Sequence, residues 1–301
     1  MKNELLMAKH FFAELFTKNY TYERKPEEEV MVGPDNVEEY RKETLPTGNG
    51  SSVHLFNLIL LCGAVRPGSV VVDLACGPAN LLIELAKLNP QADFVGVDLS
   101  PQMLQHAKDL QIRAAVKNVR FVLGDITNLA EVSSQSVDLV MSTLSLHHLP
   151  NVALLKKCLQ EVARVVRPDG DIHLMDFASL KRVATRDYFS LERTKGLGKF
   201  VTQDYQGSLL AAYRTEDLMA LEPVLQTAIA SVRLRQTFGV PFFMALTSLN
   251  DHRTPGQEQQ RGLRIYWNQM LPGQRKDFND MRLFFRLGGL QTPHPTQFSE
   301  L

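Results

Sequence analysis

A doubly wound α/β sheet, mostly parallel and finishing in an antiparallel hairpin, is the fold this sequence predicts. Two observations carry the expectation. From Ser69 onward, short β-branched runs alternate with stretches of helical periodicity, and near the end two strand-like runs are separated by a gap of hairpin length. Strands that alternate with helices pair in parallel through right-handed crossovers, which places helices on both faces of the sheet.

Ser69–Leu74 reads as a buried strand, followed by a helix through Leu81, Leu82, Leu85 and Leu88. Phe94–Val97 is the second strand, and Pro101–Arg113 the next helix, with Met103, Leu104, Ala107 and Leu110 at helical spacing. Val119–Leu123 and Val137–Ser142 are the third and fourth strands. Val152–Val166 is a helix with Leu155, Leu159, Val162 and Val166 on one face, and Pro168-Asp169-Gly170 a turn before the fifth strand, Asp171–Phe177. Val232–Phe238 and Phe242–Ser248, joined by Gly239-Val240-Pro241, complete a seven-stranded sheet as its hairpin.

Three segments fall outside this pattern. Residues 1–50 read as an N-terminal helical cap, whose Leu5, Leu6, His10, Phe11, Leu15 and Phe16 form an amphipathic stripe. Between Glu23 and Glu43 it is acidic, with eight acids against four bases, and the stretch from Thr47 to Ser52 looks like a loop that caps the following helix. Within the main domain, 51–250, a lid insertion at about 181–207 follows the fifth strand; it carries Lys181, Arg182, Arg186, Arg193, Lys195 and Lys199 against three acids. A helical extension, 251–301, holds helices around Gly256–Met270 and Gln274–Leu287.

The 33 basic and 33 acidic residues cancel, which argues against nucleic acid or an anionic membrane as partner. The longest apolar stretch, near Leu55–Val65, is too short to span a bilayer. Cys62, Cys76 and Cys158 form no CxxC pair and no zinc pattern, and the N-terminus lacks the features of a secretory signal; a reducing, cytoplasmic setting is expected.

A strand ending in an acid, then a glycine-bearing turn, then a helix makes a site for a nucleoside with a polar tail. Gly77 lets backbone N–H groups approach a ligand with no Cβ in the way, and the helix start that follows favours a carboxylate. About twenty residues on, Asp98 ends the second strand, where a carboxylate accepts hydrogen bonds from ribose hydroxyls. The turn does not satisfy G-x-G-x-x-G, so a nicotinamide cofactor fits less well.

Five stretches follow one another at family spacing: VVVDLACGPAN at 70–80, FVGVDLSPQMLQHA at 94–107, VRFVLGDI at 119–126, DLVMSTLSLHHLP at 138–150 and VARVVRPDGDIHLMDF at 162–177. On them the chain resembles the class I, Rossmann-like methyltransferases, above all the small-molecule enzymes similar to ubiquinone/menaquinone methyltransferases. The resemblance implies S-adenosyl-L-methionine as methyl donor. It places Asp73, Ala75 and Gly77 around the methionine end, Asp98 on the ribose, Leu99 and Met103 on the adenine, and Asp125 and Ile126 at its edge. Ser142, Leu144 and His147 would approach from the end of the fourth strand. Met103 equally fits a core stripe, Asp98 a helix cap before Ser100-Pro101, and Asp125 a turn cap. The family commonly has glycine where this chain has Ala79, and often at Ala75. An alanine in the first turn of a helix is unstrained, so binding is expected to survive unless the position requires φ > 0.

Methyl transfer from a sulfonium needs in-line approach and exclusion of water, and needs a base only where the acceptor must lose a proton. His147 and His148, just beyond the fourth strand, are the candidate bases; alternatively they shape the pocket or hydrogen-bond backbone. Cys76 reads as a small buried residue. The sequence STLS is not the Asn/Asp-Pro-Pro-aromatic motif of nucleic-acid amino-methyltransferases. The paired glutamates of the protein arginine group, a cysteine triad for arsenic and an acid cluster for a metal-dependent catechol site are not evident either, so no metal ligand is assigned. A small-molecule or peptide acceptor remains, and the lid arginines Arg182, Arg186 and Arg193 point to an anionic group on it, with a solvated face as the alternative. The rival reading is a non-catalytic member of the fold acting as an interaction module, and the terminal additions are also candidates for a homodimer contact.

Overall fold

The computed structural model describes residues 2–27, 42–240, 242–249 and 254–298. Most of the acidic stretch between Glu23 and Glu43 therefore lies outside the described residues. The strands are β1 (Val70–Leu74), β2 (Asp93–Asp98), β3 (Val119–Leu123), β4 (Val137–Thr143), β5 (Val166–Phe177), β6 (Arg233–Gln236) and β7 (Phe243–Thr247). They form one sheet in the order β3-β2-β1-β4-β5-β7-β6. The first five are parallel, and β7 runs antiparallel to both β5 and β6. The expected doubly wound sheet with its antiparallel hairpin is the observed one.

The helices are α1 (Lys2–Phe16), α2 (Ser51–Ala64), α3 (Asn80–Leu88), α4 (Pro101–Arg113), α5 (Val152–Val165), α6 (Val183–Arg193), α7 (Lys199–Ala211), α8 (Thr215–Gln226), α9 (Gln257–Gln269) and α10 (Pro272–Leu287). Because side chains alternate along a strand, the sheet feeds two separate cores. In one, Val71, Phe94, Leu139 and Met175 pack with Phe56 of α2, Leu82 of α3, and Trp267, Phe278 and Phe285 of α9 and α10. In the other, Val72, Val95, Val140 and Leu174 pack with Leu155, Leu159 and Val162 of α5 and Leu221 of α8. The C-terminal helices thus help build a core of the sheet. Leu159 has no exposed surface, so its truncation to alanine costs about 2–5 kcal/mol.

Helix starts are specified locally. Ser100 Oγ accepts from the Met103 N–H at 3.2 Å ahead of Pro101, and Asn151 Oδ1 accepts from the Leu154 N–H at 3.0 Å. The loop ahead of α2 ends in Gly50 as N-cap, with no side-chain cap, and is held by Glu43, whose carbonyl accepts from the Gly50 N–H at 2.8 Å. Pro168-Asp169-Gly170 is likewise not a turn ahead of β5 but an excursion inside it. Val166 already pairs with Val137, and the register then jumps to Leu139 with Asp171. Helix α10 starts at Pro272, two residues before the expected start, with proline in the first turn.

The N-terminal cap is helical only in part. After α1, residues 17–27 run as an extended strap, with the Thr21 N–H donating to Lys181 O at 2.8 Å and the Lys25 N–H to Leu210 O at 3.2 Å. The buried side of α1 is not the leucine stripe: Glu14 is buried, whereas Leu5 and Phe16 are 76% and 78% exposed. Glu14 accepts from the backbone N–H groups of Lys181 and Arg182 and so docks α1 against the start of α6. No helix among the described residues is long and apolar enough to cross a membrane.

Candidate active site

The residues expected to bind the donor follow the C-terminal ends of β1, β2, β3 and β4, with Met103 on α4. After β1 the chain enters the left-handed region three times, at Ala75 (φ 54°), Gly77 (φ 54°) and Ala79 (φ 61°). Only glycine adopts this conformation freely. Ala79 is the N-cap of α3, so the expectation of an unstrained alanine is corrected: the position does require φ > 0, at a cost of roughly 1–2 kcal/mol for an L-residue. The turn forms because its neighbours over-determine it. The Cys76 N–H donates to Val97 O at 3.0 Å, the Gly77 N–H to Asp98 Oδ2 at 2.7 Å and the Ala79 N–H to Cys76 O at 2.9 Å. Gly96, opposite Asp73 on β2, makes room for the turn, since a Cβ there would lie 2.7 Å from Cys76 Sγ.

Asp98 works as a cap as well as a strand-end acid. Its Oδ2 holds the Gly77 N–H, and its Oδ1 accepts from the Ser100 N–H at 2.9 Å. Asp73 is buried, and its carboxylate accepts no hydrogen bond among the described residues; burial and the nearby charge of Asp98 hold its pKa well above the usual carboxylate range. Two buried carboxylates beside an open glycine turn, where a Cβ on Gly77 would touch nothing, suit a ligand that brings positive charge. The sulfonium and ammonium groups of S-adenosylmethionine fit that requirement.

The remaining donor-side residues divide. Leu99 is 67% exposed on the rim, Met103 is buried on α4, and Ile126 is buried. Asp125 is exposed and caps its own turn, with Oδ1 accepting from the Thr127 N–H at 2.7 Å. Ser142 is committed inside the protein: its hydroxyl donates to Leu74 O at 3.1 Å and lies 2.6 Å from Ser145 Oγ, pinning β4 to β1. Leu144 sits at φ 54° and its N–H donates to Met175 O at 2.8 Å. Burial pushes the Cys76 thiol well above its ordinary pKa, in keeping with a small packed residue.

Beyond β4 lies the turn Leu146–His148, which carries the two candidate bases. The His147 N–H donates to Asp176 Oδ2 at 2.8 Å, and Nδ1 lies 2.7 Å from Oδ1 of the same carboxylate. Burial lowers the pKa of this imidazole, but the charge and hydrogen bond of Asp176 outweigh it and the net shift is upward. Nε2 of His147 is buried and has no partner among the described residues. His148 is half-exposed, with Nδ1 2.7 Å from Glu27 Oε2 of the strap. Burial would raise the pKa of Glu27, yet the hydrogen bond from His148 and both imidazole charges bring it below the usual value. Asp204 of α7 is pushed up to about 6 by burial and by Glu27.

Arg24 fastens the strap. Its Nη2 donates to the carbonyls of His147 and Leu149 at 2.8 and 2.7 Å, Nη1 to Pro150 O at 2.7 Å and Nε to Ala211 O at 2.6 Å. Its guanidinium also stacks 3.9 Å over the ring of Tyr213. Around Phe177 stand Tyr205, Phe242 and Phe243, with ring centroids at 5.4, 6.0 and 5.3 Å, and Phe189 of α6 packs on Phe242. On the lid, Arg186 pairs with Asp187 at 2.8 Å and stacks on Tyr22, and the side chain of Arg193 is outside the described residues. A cleft of about 470 Å³ opens at the other end of the strands beside Asp169, Asp171 and Ser248, remote from all these groups.

Arg24, Glu27 and Asp204 were not singled out from the sequence, and Asp176 lay within a motif without a role. Their partners are distant along the chain, so no local spacing marks them.

Residues 66–209 match the family model described as a methyltransferase domain. A demethylmenaquinone methyltransferase from Lactobacillus johnsonii is 28% identical over 154 residues, which cover 49% of this chain and 60% of that protein, less than two thirds of its length. A trans-aconitate 2-methyltransferase from Deinococcus radiodurans is 29% identical over 239 residues, covering 73% of this chain and 86% of that protein. The crystal structure of the plantazolicin methyltransferase BamL, in complex with a triazolic desmethylPZN analog and SAH, has a TM-score of 0.51 at 16% identity, over 80% of this chain and 84% of that one, a likeness of fold. Residues 66–209 thus match a methyltransferase domain, and the strand order is a fold shared with an enzyme solved in complex with SAH.

Proposed function

We propose that the protein transfers a methyl group from S-adenosylmethionine to a small-molecule or peptide acceptor held between the His147 turn, the strap and the lid helices. The observation that carries the reading is the buried, unpartnered Nε2 of His147, whose ring lies 5.9 Å from that of Phe177. The donor supplies a methyl already activated as a sulfonium substituent. Asp73 and Asp98 offset its positive charge, and Gly77 leaves room for its polar end. Asp176 holds the Nδ1 side of His147, so Nε2 is left to accept the proton of a protic acceptor. Phe177, Tyr205 and Phe242 keep water from the transfer and suit an acceptor with a planar apolar body.

The finer part of the proposal is an anionic group on the acceptor, read by the lid. Arg182 supports it, because its guanidinium has no hydrogen bond or ion pair to a described residue, whereas Arg186 is engaged by Asp187 and Tyr22. Residues 1–50 then serve as the cap that closes the acceptor side, 51–250 as the catalytic domain and 251–301 as its extension. The exposed Leu5, Phe12 and Phe16 of α1 support a homodimer contact, which light scattering tests, and three unpaired cysteines support a reducing, cytoplasmic setting.

The test is calorimetry of the purified full chain with S-adenosylmethionine and S-adenosylhomocysteine, followed by labelled methyl transfer to a panel of small carboxylates. The enzyme reading falls if neither nucleoside binds. Neutralising Arg182 raises the acceptor KM if the anionic part holds; unchanged kinetics removes that part alone.

A further inference from the structure

We propose that Glu27, His147 and His148 form a binding site for a divalent transition-metal cation on the acceptor side of the domain. Each residue offers one ligand atom, and the three atoms all lie within 4.8 Å of one another. One ion with bonds of about 2 Å to imidazole nitrogen and carboxylate oxygen draws such a set together with small side-chain movements.

His147 is prepared as a ligand. Its Nδ1 is occupied by Asp176 at 2.7 Å, which leaves the Nε2 lone pair, the arrangement in which a carboxylate orients a metal-binding imidazole from behind. Nε2 of His147 and Oε1 of Glu27 are both buried without a partner among the described residues. Unpaired polar atoms in an interior carry a free-energy penalty, and one cation relieves both. At the third corner His148 Nδ1 and Glu27 Oε2 are already 2.7 Å apart.

Two imidazoles and one carboxylate are a donor set for Zn²⁺, Fe²⁺ or Co²⁺, whereas Mg²⁺ and Ca²⁺ call for oxygen alone. Three protein ligands leave coordination positions open. On the methyltransferase reading, those positions take an acceptor that chelates through two oxygens, such as a hydroxy- or oxo-carboxylate. His147 then acts as a ligand, not a base, whenever the cation is bound.

The experiment uses the full chain, stripped with a chelator and titrated with Co²⁺ followed by its visible absorption and with Zn²⁺ followed by calorimetry. Saturable one-to-one binding is expected. Glu27→Gln and His148→Asn should each weaken it by at least roughly 10–100-fold, and Asp176→Asn by about 10-fold. His148 is half-exposed, so its variant leaves the core intact, and circular dichroism together with S-adenosylhomocysteine affinity reports folding. The inference is overturned if neither ion binds saturably, or if binding is unchanged in both Glu27→Gln and His148→Asn. Cobalt binding retained by a protein that binds no nucleoside would support the cation site and remove the methyltransferase reading.

Discussion

Asp176 grips His147 twice, taking its backbone N–H on Oδ2 at 2.8 Å and its Nδ1 on Oδ1 at 2.7 Å. One carboxylate therefore sets both the position of the loop and the rotation of the ring. Asp176→Asn keeps the shape but offers an amide that can present its NH₂ to Nδ1 and flip the tautomer. The expected outcome is a kcat lowered by about 10–100-fold with the dissociation constant for S-adenosylhomocysteine unchanged, measured by steady-state kinetics and calorimetry. Equal losses in both would show that the residue serves folding alone.

Ala75 and Ala79 carry different consequences for the same substitution. Ala75→Gly relieves left-handed strain at a half-buried position and should stabilise the protein by about 0.5–1 kcal/mol, after the greater freedom of glycine in the unfolded chain is deducted. Ala79 is 1% exposed, so Ala79→Gly also loses a buried methyl, worth about 0.8 kcal/mol, and should be close to neutral. Thermal denaturation of the two variants side by side checks the contrast.

Burial lowers the pKa of His173, with Nε2 2.8 Å from Asn57 Oδ1 and Nδ1 3.1 Å from Thr247 Oγ1, and that of His54, each to about 4. Both are neutral in the folded protein at pH values where the unfolded chain protonates them. Stability is therefore lost as pH falls from 6.5 towards about 4, by up to about 3 kcal/mol for each residue. Urea midpoints measured across this window should fall, and His173→Gln should flatten the slope. A slope identical to wild type would mean that His173 titrates normally.

Asp73 has its pKa raised by burial and by Asp98, so the free protein holds a proton there at pH values above the usual carboxylate range. A cationic ligand favours the ionised form and expels that proton. Binding enthalpy for S-adenosylmethionine should then depend on the ionisation heat of the buffer, and Asp73→Asn should abolish the dependence. Buffer-independent enthalpy in the wild type would place the positive charge elsewhere.

Arg24→Met strips four donors from the carbonyls of His147, Leu149, Pro150 and Ala211. A loss of about 2–4 kcal/mol is expected, since charged donors are removed and part-buried acceptors left unpaired. Acceptor KM should rise several-fold while nucleoside affinity holds. Denaturant titration and a KM-against-kcat comparison check the two halves of this expectation.

What could be read from the sequence follows from how local each feature is. Strands β1 to β4 and helices α4 and α5 show in residues a few positions apart: β-branched runs, Ser100 before Pro101, Asn151 ahead of a leucine face. The start of β5 was misplaced because Pro168-Asp169-Gly170 reads as a chain reversal, and only its pairing with β4 shows that the strand continues through it. The donor turn was legible, yet the φ of Ala79 was not, because the N–H groups of Cys76 and Gly77 impose it through Val97 and Asp98 on β2. The acceptor side was the least legible. Arg24 meets His147 across 123 positions, and Glu14 meets Arg182 across 168, with no periodicity to join them. The lid arginines were visible as a charge excess, but which of them Asp187 and Tyr22 would occupy was not.

The strap also sets an order of events during synthesis. Arg24 and Glu27 leave the ribosome before any strand of the sheet, but Ala211 and Tyr213, on which Arg24 rests, are made much later. The turn after β1 is made early, while Arg24 latches only once Ala211 and Tyr213 have been made. A molecule clipped ahead of Lys25 would keep the turn after β1 and lose the hydrogen bonds by which Arg24 holds His147, Leu149, Pro150 and Ala211.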